Sequence, residues 1–294
     1  MRVRRVLGPA LAVSVFAVAR PDARLQDPPL ADLLGKSAEY VAAYRTKVSG
    51  AALDEMFLLT ELGASQMRVP RRVASDVVLI NISERLMSIR DPYAIDTRPT
   101  REPGLRIVNT LKEPTAVAWQ RVQTFAQEGA YLLLANAVLW YSEPTLALRF
   151  IEAAHQPRME YKLEGRKKLN NIQTTGIGFK EIRGEGKAYL LGTPSNPYAS
   201  GRFWVDPATG AIHMTELWIQ SDVDTARVQV SYAPDPGLGF LLPRDAAHSF
   251  QSRERGTGMT SMGAGGTDRR LAFEANAKYT NPRYTPIDLS KIYR

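Results

Sequence analysis

The chain contains no cysteine in 294 residues. That excludes a disulfide framework, a thiol nucleophile and a lipid-modified amino-terminal cysteine, and leaves stability to a packed core alone. Histidine is scarce. His155, His213 and His248 are the whole set, and none stands in an H-x-x-x-H or H-E-x-x-H spacing that would gather a metal. There is no G-x-S-x-G elbow, no Ser followed three residues later by Lys, no G-x-x-x-x-G-K-[ST] loop and no strand-linked G-x-G-x-x-G. These absences remove the common nucleophile, nucleotide and metal classes of enzyme, and no cofactor or metal is expected. A carboxylate site would leave no such signature. Asp54-Glu55 could in principle serve acid–base chemistry, but its spacing does not select it. Asp222 and Asp224 lack an EF-hand loop and read as shaping a turn.

What is present is an ordinary globular composition, 44% hydrophobic and 23% charged, with a formal net charge of +8. The positive balance favours anionic partners such as membrane surfaces or acidic proteins, or else is surplus surface Arg. Arg166-Lys167-Lys168, after Gly165, reads as a charged turn. Its charges are not interleaved with aromatics, so no nucleic-acid platform is expected.

The first residues have the pattern of an export signal. "MRVRR" is a basic start, residues 6–19 are an apolar run, and Ala17-Val18-Ala19 fits a signal-peptidase site, with an alternative after Ala23. The run falls short of the roughly 20 apolar residues of a membrane span. Cleavage after 19 removes three Arg and no acid, lowering the net charge from +8 to +5. A periplasmic or secreted location is expected.

Residues 20–29 read as a polar, Pro-rich leader, and 30–294 as one domain. Leu30, Leu33, Leu34, Ala38, Val41 and Ala42 recur at helical spacing and predict an amphipathic helix over 29–47, ended by Ser49-Gly50. Strand patterns follow in "ALDEMFLLTEL", "VASDVVLINI" and "RLMSIRDPYAID", the third interrupted at Asp91-Pro92. Helical material is predicted around 103–155. Pro114 suits a first helical residue, Gly129 an end, and Ser142-Glu143-Pro144 a cap before a short helix. "YLLLANAVLWY" reads equally as strand or buried helix. Clean period-two alternation then appears in three places. It sets Met159, Tyr161 and Leu163 on one face, then Val228, Val230 and Tyr232, then Leu271, Phe273, Ala275, Ala277 and Tyr279. One buried and one solvated face is the habit of antiparallel sheets. Residues 256–266 hold five Gly and predict a long hairpin loop. The element order points to an α+β fold with one large curved antiparallel sheet, an incomplete β-barrel lidded by helices.

The sharpest local signal is "GRFWVDPATGAIHMTEL", residues 201–217. Asp206 can accept turn N–H groups, Pro207 presets a type I turn, and Gly210 can take the left-handed conformation that closes it. Alternation predicts Phe203 and Val205 on one face and Arg202 and Trp204 on the other. Past the turn it pairs Ile212 with Met214 and Trp218, opposite Leu217 and Ile219. Strands apolar on both faces suit a greasy binding surface. Phe203, Trp204, Met214, Trp218, Tyr161 and Val230 are the candidate cavity residues, with plain core as the competing reading.

This hairpin, with Phe203-Trp204-Val205-Asp206-Pro207, then Thr209-Gly210, then Thr215-Glu216-Leu217, resembles that of the LolA/LolB-like lipoprotein-carrier superfamily. Exported bacterial proteins of that type share "PTLAL-F", "HQPRMEY", "GRFWVDPATG" and "VSYAPDPGLGFLLP" in this order, a likeness covering about 30 to about 280. The resemblance implies an incomplete antiparallel barrel whose helices lid a cavity for acyl chains, and no catalytic residue. The chain departs from it by the extra helical segment about 103–155. Two readings follow. One is a non-catalytic exported carrier of a lipid or lipoprotein acyl chain, with transient membrane-surface contact. The other is a cell-envelope module that docks a protein partner and holds no ligand. A carboxylate hydrolase is the third and weakest.

Overall fold

The computed structural model describes residues 29–62, 70–132, 143–182, 197–222, 224–252 and 272–289. The expected export signal, the leader up to Pro28, the Gly-rich stretch 256–266 and most of "YLLLANAVLWY" lie outside them.

Helix α1 (Leu30–Lys47) opens the described chain and runs over the predicted span. Strands β1 (Ala51–Leu62), β2 (Arg71–Ile82), β3 (Arg85–Ile95) and β4 (Arg98–Pro99) follow. Then come α2 (Arg106–Thr110), α3 (Ala116–Leu132) and two 3-10 turns, Leu146–Ile151 and Gln156–Arg158. Seven strands complete the order: β5 (Met159–Leu169), β6 (Ile172–Glu181), β7 (Tyr198–Val205), β8 (Ile212–Gln220), β9 (Asp224–Asp235), β10 (Phe240–Ser252) and β11 (Ala272–Tyr284).

All eleven strands form one antiparallel sheet, ordered β4-β3-β2-β1-β11-β10-β9-β8-β7-β6-β5. Strands consecutive in sequence pair with one another except β4 and β5, which lie at opposite edges, and the pairing of β1 with β11 joins the two arms of the meander. The sheet does not close: β4 and β5 are its free edges. It is the open, curved α+β architecture that the alternation of the strands predicts.

Both faces are covered. The inner face, defined here as the one that carries α1, holds the main core. Leu33, Val41 and Tyr44 of α1 and all but Arg149 of Leu146–Ile151 pack there against apolar residues of β1 to β3 and β5 to β11. The outer face has a second core at the β1–β3 end, where Ile107 and Val108 of α2, Leu111 just after it, and Ala118 and Val122 of α3 cover Ala52, Val78, Ile80 and Ile89. Strand β2 is therefore buried on both sides, Val77 and Leu79 inward, Val78 and Ile80 outward. The helical segment divides its work: its 3-10 part fills the inner face and its α-helices cover the outer one.

Several local expectations are corrected. The buried stripe of α1 is Leu33, Ser37, Val41 and Tyr44, spaced by one helical turn, while Ala42 is exposed. Asp91-Pro92 does not break β3. Ser75 pairs with Pro92 and Ala74 with Ala94, so Tyr93 is an extra residue that bends the strand past proline. Pro114 is not the first helical residue: α3 begins at Ala116 and Thr115 caps it, its hydroxyl accepting the Ala118 N–H at 3.1 Å. The helix continues through Gly129. Arg166-Lys167-Lys168 lies within β5, where Gly165, at φ +61°, makes a bulge rather than a turn. The segment after Pro144 is a 3-10 helix, and Ser142 lies outside the described residues.

Candidate ligand-binding face

The β7–β8 turn forms as its residues dictate. Asp206 Oδ1 accepts the Ala208 N–H at 2.9 Å, the Gly210 N–H returns to the Asp206 carbonyl at 2.8 Å, and Gly210 sits at φ +76°. What the sequence does not disclose is what the turn touches. A Cβ on Gly210 would stand 2.4 Å from the carbonyl oxygen of Lys36, in the middle of α1. Lys36 in turn donates its ammonium to the Pro207 carbonyl at 3.2 Å. The conspicuous hairpin is the abutment on which α1 rests.

Past the turn the register slips. Trp204 pairs with Met214, but Val205 pairs with Ile212, leaving His213 as the extra residue of a bulge. Simple alternation fails across it. Ile212 turns inward with Phe203, Val205, Leu217 and Ile219, all in the main core, while Met214 and Trp218 share the outer face with Trp204. The six candidate residues therefore do not surround one cavity. Phe203 and Val230 are buried on the inner face with half-buried Tyr161 packed beside them, whereas Trp204, Met214 and Trp218 look outward. Tyr161 and Trp218 do line one groove of about 450 Å³ across β5 to β8, together with Gly178, Gly201 and Arg202.

The outer residues belong to a ladder of charge and aromatic rings. Glu164 bridges Lys162 and Arg202, and Glu216 stands 3.7 Å from Arg202 and 3.8 Å from Arg227. Trp204 donates its indole N–H to Glu216 at 3.1 Å and lies under Arg202 and Lys167. Cation–π and cross-strand ion pairs of this kind stiffen a sheet.

The inner face is the better candidate surface, because it has two covers of unequal firmness. The first is the 3-10 plug. Phe150 stacks on Phe179 at 5.4 Å, which stacks on Phe203 at 4.7 Å. Tyr161 donates to the Phe150 carbonyl at 2.5 Å and Tyr232 to the Pro144 carbonyl at 2.6 Å, so two strands hold the plug by hydrogen bonds. Burial raises the pKa of both tyrosines and keeps them donors. Glu143, its carboxyl raised by burial, accepts the Ser88 N–H at 2.9 Å.

The second cover is α1, and it is held less firmly. No side chain caps its start, and Gly35 in its interior costs about 1 kcal/mol relative to Ala. The Ser37 and Tyr44 hydroxyls are buried against the sheet with no hydrogen-bond partner. Each such group costs roughly 1–3 kcal/mol. That offsets much of the ~1.5–3 kcal/mol each that burying Leu33 and Val41 contributes. The polar ties of α1 are at its rim: Lys36 to the Pro207 carbonyl, Arg45 to the Glu84 carbonyl at 2.6 Å and to Glu152 at 3.6 Å, and the Leu34 carbonyl accepting from the Gln156 amide at 3.4 Å. A hollow of about 750 Å³ runs along that rim, between Gly35, Ala38 and Ala42 of α1 and Arg149, Glu152 and His155.

A buried polar group interrupts the inner face. Arg90 of β3 holds Glu55 of β1 with Nε and Nη2, the latter at 2.6 Å, and Glu55 is 1% exposed. Among the described residues no cluster of three or more His, Asp or Glu side chains could hold a metal. No described helix is long and apolar enough to cross a membrane.

No protein-family model matches the chain, and no curated protein does. Among solved structures the chain is similar to an outer membrane lipoprotein-sorting protein domain from Vibrio parahaemolyticus. That likeness has 7% identity and TM-score 0.38, over 86% of this chain and 92% of that one. It is similar to a DUF1329 family protein from Desulfovibrio piger at 10% identity and TM-score 0.40, over 87% and 93%. It is also similar to a LolA superfamily protein from Nitrosomonas europaea at 10% identity and TM-score 0.30, over 85% and 94%. Lipoprotein-sorting and LolA-superfamily structures are thus among those it resembles. Likenesses at these identities and scores carry no argument about ligand or chemistry.

Proposed function

We propose that the chain is an exported, non-catalytic carrier or binding protein that takes an acyl chain, or a comparable apolar group, on the inner face of its sheet beneath α1. The observation that carries this reading is the weakness of α1 as a cover. It lies over an apolar face, lacks a side-chain cap, contains Gly35 and buries two hydroxyls without partners. An element of this kind belongs to the low-stability end of a fold, from which moving lids are drawn. The inner-face candidates are Phe203, Val230 and Tyr161; Trp204, Met214 and Trp218 stiffen the outer face instead.

The test is uptake of N-phenyl-1-naphthylamine, an apolar fluorescent probe, by the purified chain lacking residues 1–19. Saturable uptake that competing acyl lipids displace supports the carrier reading. Absence of uptake at concentrations where serum albumin saturates removes it.

A second reading has its own observation. Phe150, Ile177 and Phe203 are all 0% exposed, so part of the inner face is filled by the chain's own side chains. A cell-envelope module that docks a protein partner and holds no ligand would look the same there. It predicts a stoichiometric partner in envelope extracts and no bound lipid.

A further inference from the structure

The Glu55–Arg90 pair has surroundings that a structural ion pair does not need. Arg90 on β3 crosses over β2 to reach Glu55 on β1, and α1 packs on β2 itself. Three more polar side chains share this face. Ser75 pairs with Glu55 across β1–β2, Tyr279 pairs with it across β1–β11, and His248 lies beside Phe57, ring centroids 5.6 Å apart. All three are nine-tenths or more buried, at 0%, 4% and 7% exposure. None completes a hydrogen bond: Ser75 Oγ, the Tyr279 hydroxyl and both ring nitrogens of His248 have no partner. The Tyr279 hydroxyl lies against Glu55 and Arg90 and interacts with both, a loose contact rather than a completed hydrogen bond. Buried polar atoms are nearly always satisfied, so a group of orphans around one ion pair calls for an occupant.

We propose that Ser75, Tyr279 and His248, set around the Glu55–Arg90 pair, form a polar subsite that receives the uncharged, hydrogen-bonding head of an acyl ligand, an ester or amide. The inference rests on the carrier reading and gives its ligand class. The sign of the charge selects the class. Glu55 spends the charge of Arg90 in two hydrogen bonds, so the pair is neutral as a unit. Burial, and then the neighbouring guanidinium, push the His248 imidazole down to about 3, so it is neutral as well. A carboxylate or phosphate would be desolvated here with no countercharge. An ester carbonyl can accept from the Ser75 and Tyr279 hydroxyls, and a glyceryl hydroxyl or an amide N–H can donate to the acceptor nitrogen of His248.

The experiment displaces bound N-phenyl-1-naphthylamine from the mature chain with monoolein, oleate and hexadecane in parallel. The inference expects monoolein to displace the probe at least tenfold more effectively than oleate. Ser75→Ala and Tyr279→Phe, each checked for fold by circular dichroism, should each remove most of that preference while leaving hexadecane unchanged. Both variants also delete an unsatisfied hydroxyl, so the ligand-free protein should melt no lower than the parent. Oleate matching monoolein, or both variants keeping the full preference, overturns the subsite and leaves the carrier reading standing. No probe uptake at all removes the carrier reading, and the subsite with it.

Discussion

Arg90 reaches over β2 to hold Glu55, a fully buried carboxylate gripped from two strands away on the face that α1 covers. A buried pair contributes little beyond a well-packed apolar substitute, yet breaking it leaves a charge without compensation. Arg90→Met should therefore cost about 3–5 kcal/mol, and Glu55→Met with Arg90→Met together much less. Urea denaturation of the three proteins checks this. Equal losses in single and double variants would mean that the pair is not the unit described.

The β7–β8 turn supports α1 through Gly210. Gly210→Ala places a Cβ at φ +76° and against the Lys36 carbonyl. The left-handed strain alone is about 1–2 kcal/mol, and the contact pushes α1 off its seat. Hydrogen exchange should quicken in α1 first, and probe uptake should rise. Slower exchange in α1, or an effect confined to β7 and β8, would contradict the abutment.

A third prediction concerns the outer face. Asp91, 0% exposed, receives Arg101 at 2.8 Å and Arg106 at 2.8 Å, and Arg101 also reaches Asp76 at 3.0 Å. These bonds pin the start of α2 to the sheet. Asp91→Asn should cost about 1.5–3 kcal/mol and should loosen α2 and α3 while α1 keeps its protection. Exchange mass spectrometry distinguishes the two faces.

Stability should also depend on pH through His248. Its folded pKa is depressed to about 3, by burial and then by Arg90, against an ordinary 6.5. Below 6.5 the unfolded chain takes up a proton that the folded chain refuses, so stability is full above that pH and falls as pH drops toward 3. His155 and His213 are lowered too and act in the same direction, while the carboxyls of Glu143 and Glu152, raised by burial, act oppositely. His248→Leu isolates its share. Between pH 7.5 and 5.5 the parent should lose roughly 1 kcal/mol more than the variant. Equal losses would place His248 in contact with water.

Much of the fold is legible in the sequence because it rests on period. Helical spacing places α1, and alternation places β9 and β11 with their buried faces correct. What is not legible is whatever shifts the period by one. The extra residues Tyr93 and His213 and the bulge at Gly165 each reverse which face the following residues occupy. That is why Ile212 and Met214 were expected together and lie apart. The inner-face polar group is hidden for another reason. Ser75, Glu55, Tyr279 and His248 are scattered along the chain, and only the β1–β11 pairing joins its two ends. Nothing local distinguishes Glu55 from an exposed acid until the register sets Tyr279 opposite it. The abutment of Gly210 on α1 is equally a fact of tertiary packing, although the glycine itself is plain in the sequence.

The most direct test of the carrier reading is native mass spectrometry of the mature protein purified from its own envelope fraction. The reading predicts a retained mass of lipid size that denaturation releases as an acyl-bearing molecule. A bare protein mass, unchanged after acyl lipids are offered in vitro, would contradict it and would leave the filled inner face as the core of a module that acts through protein partners.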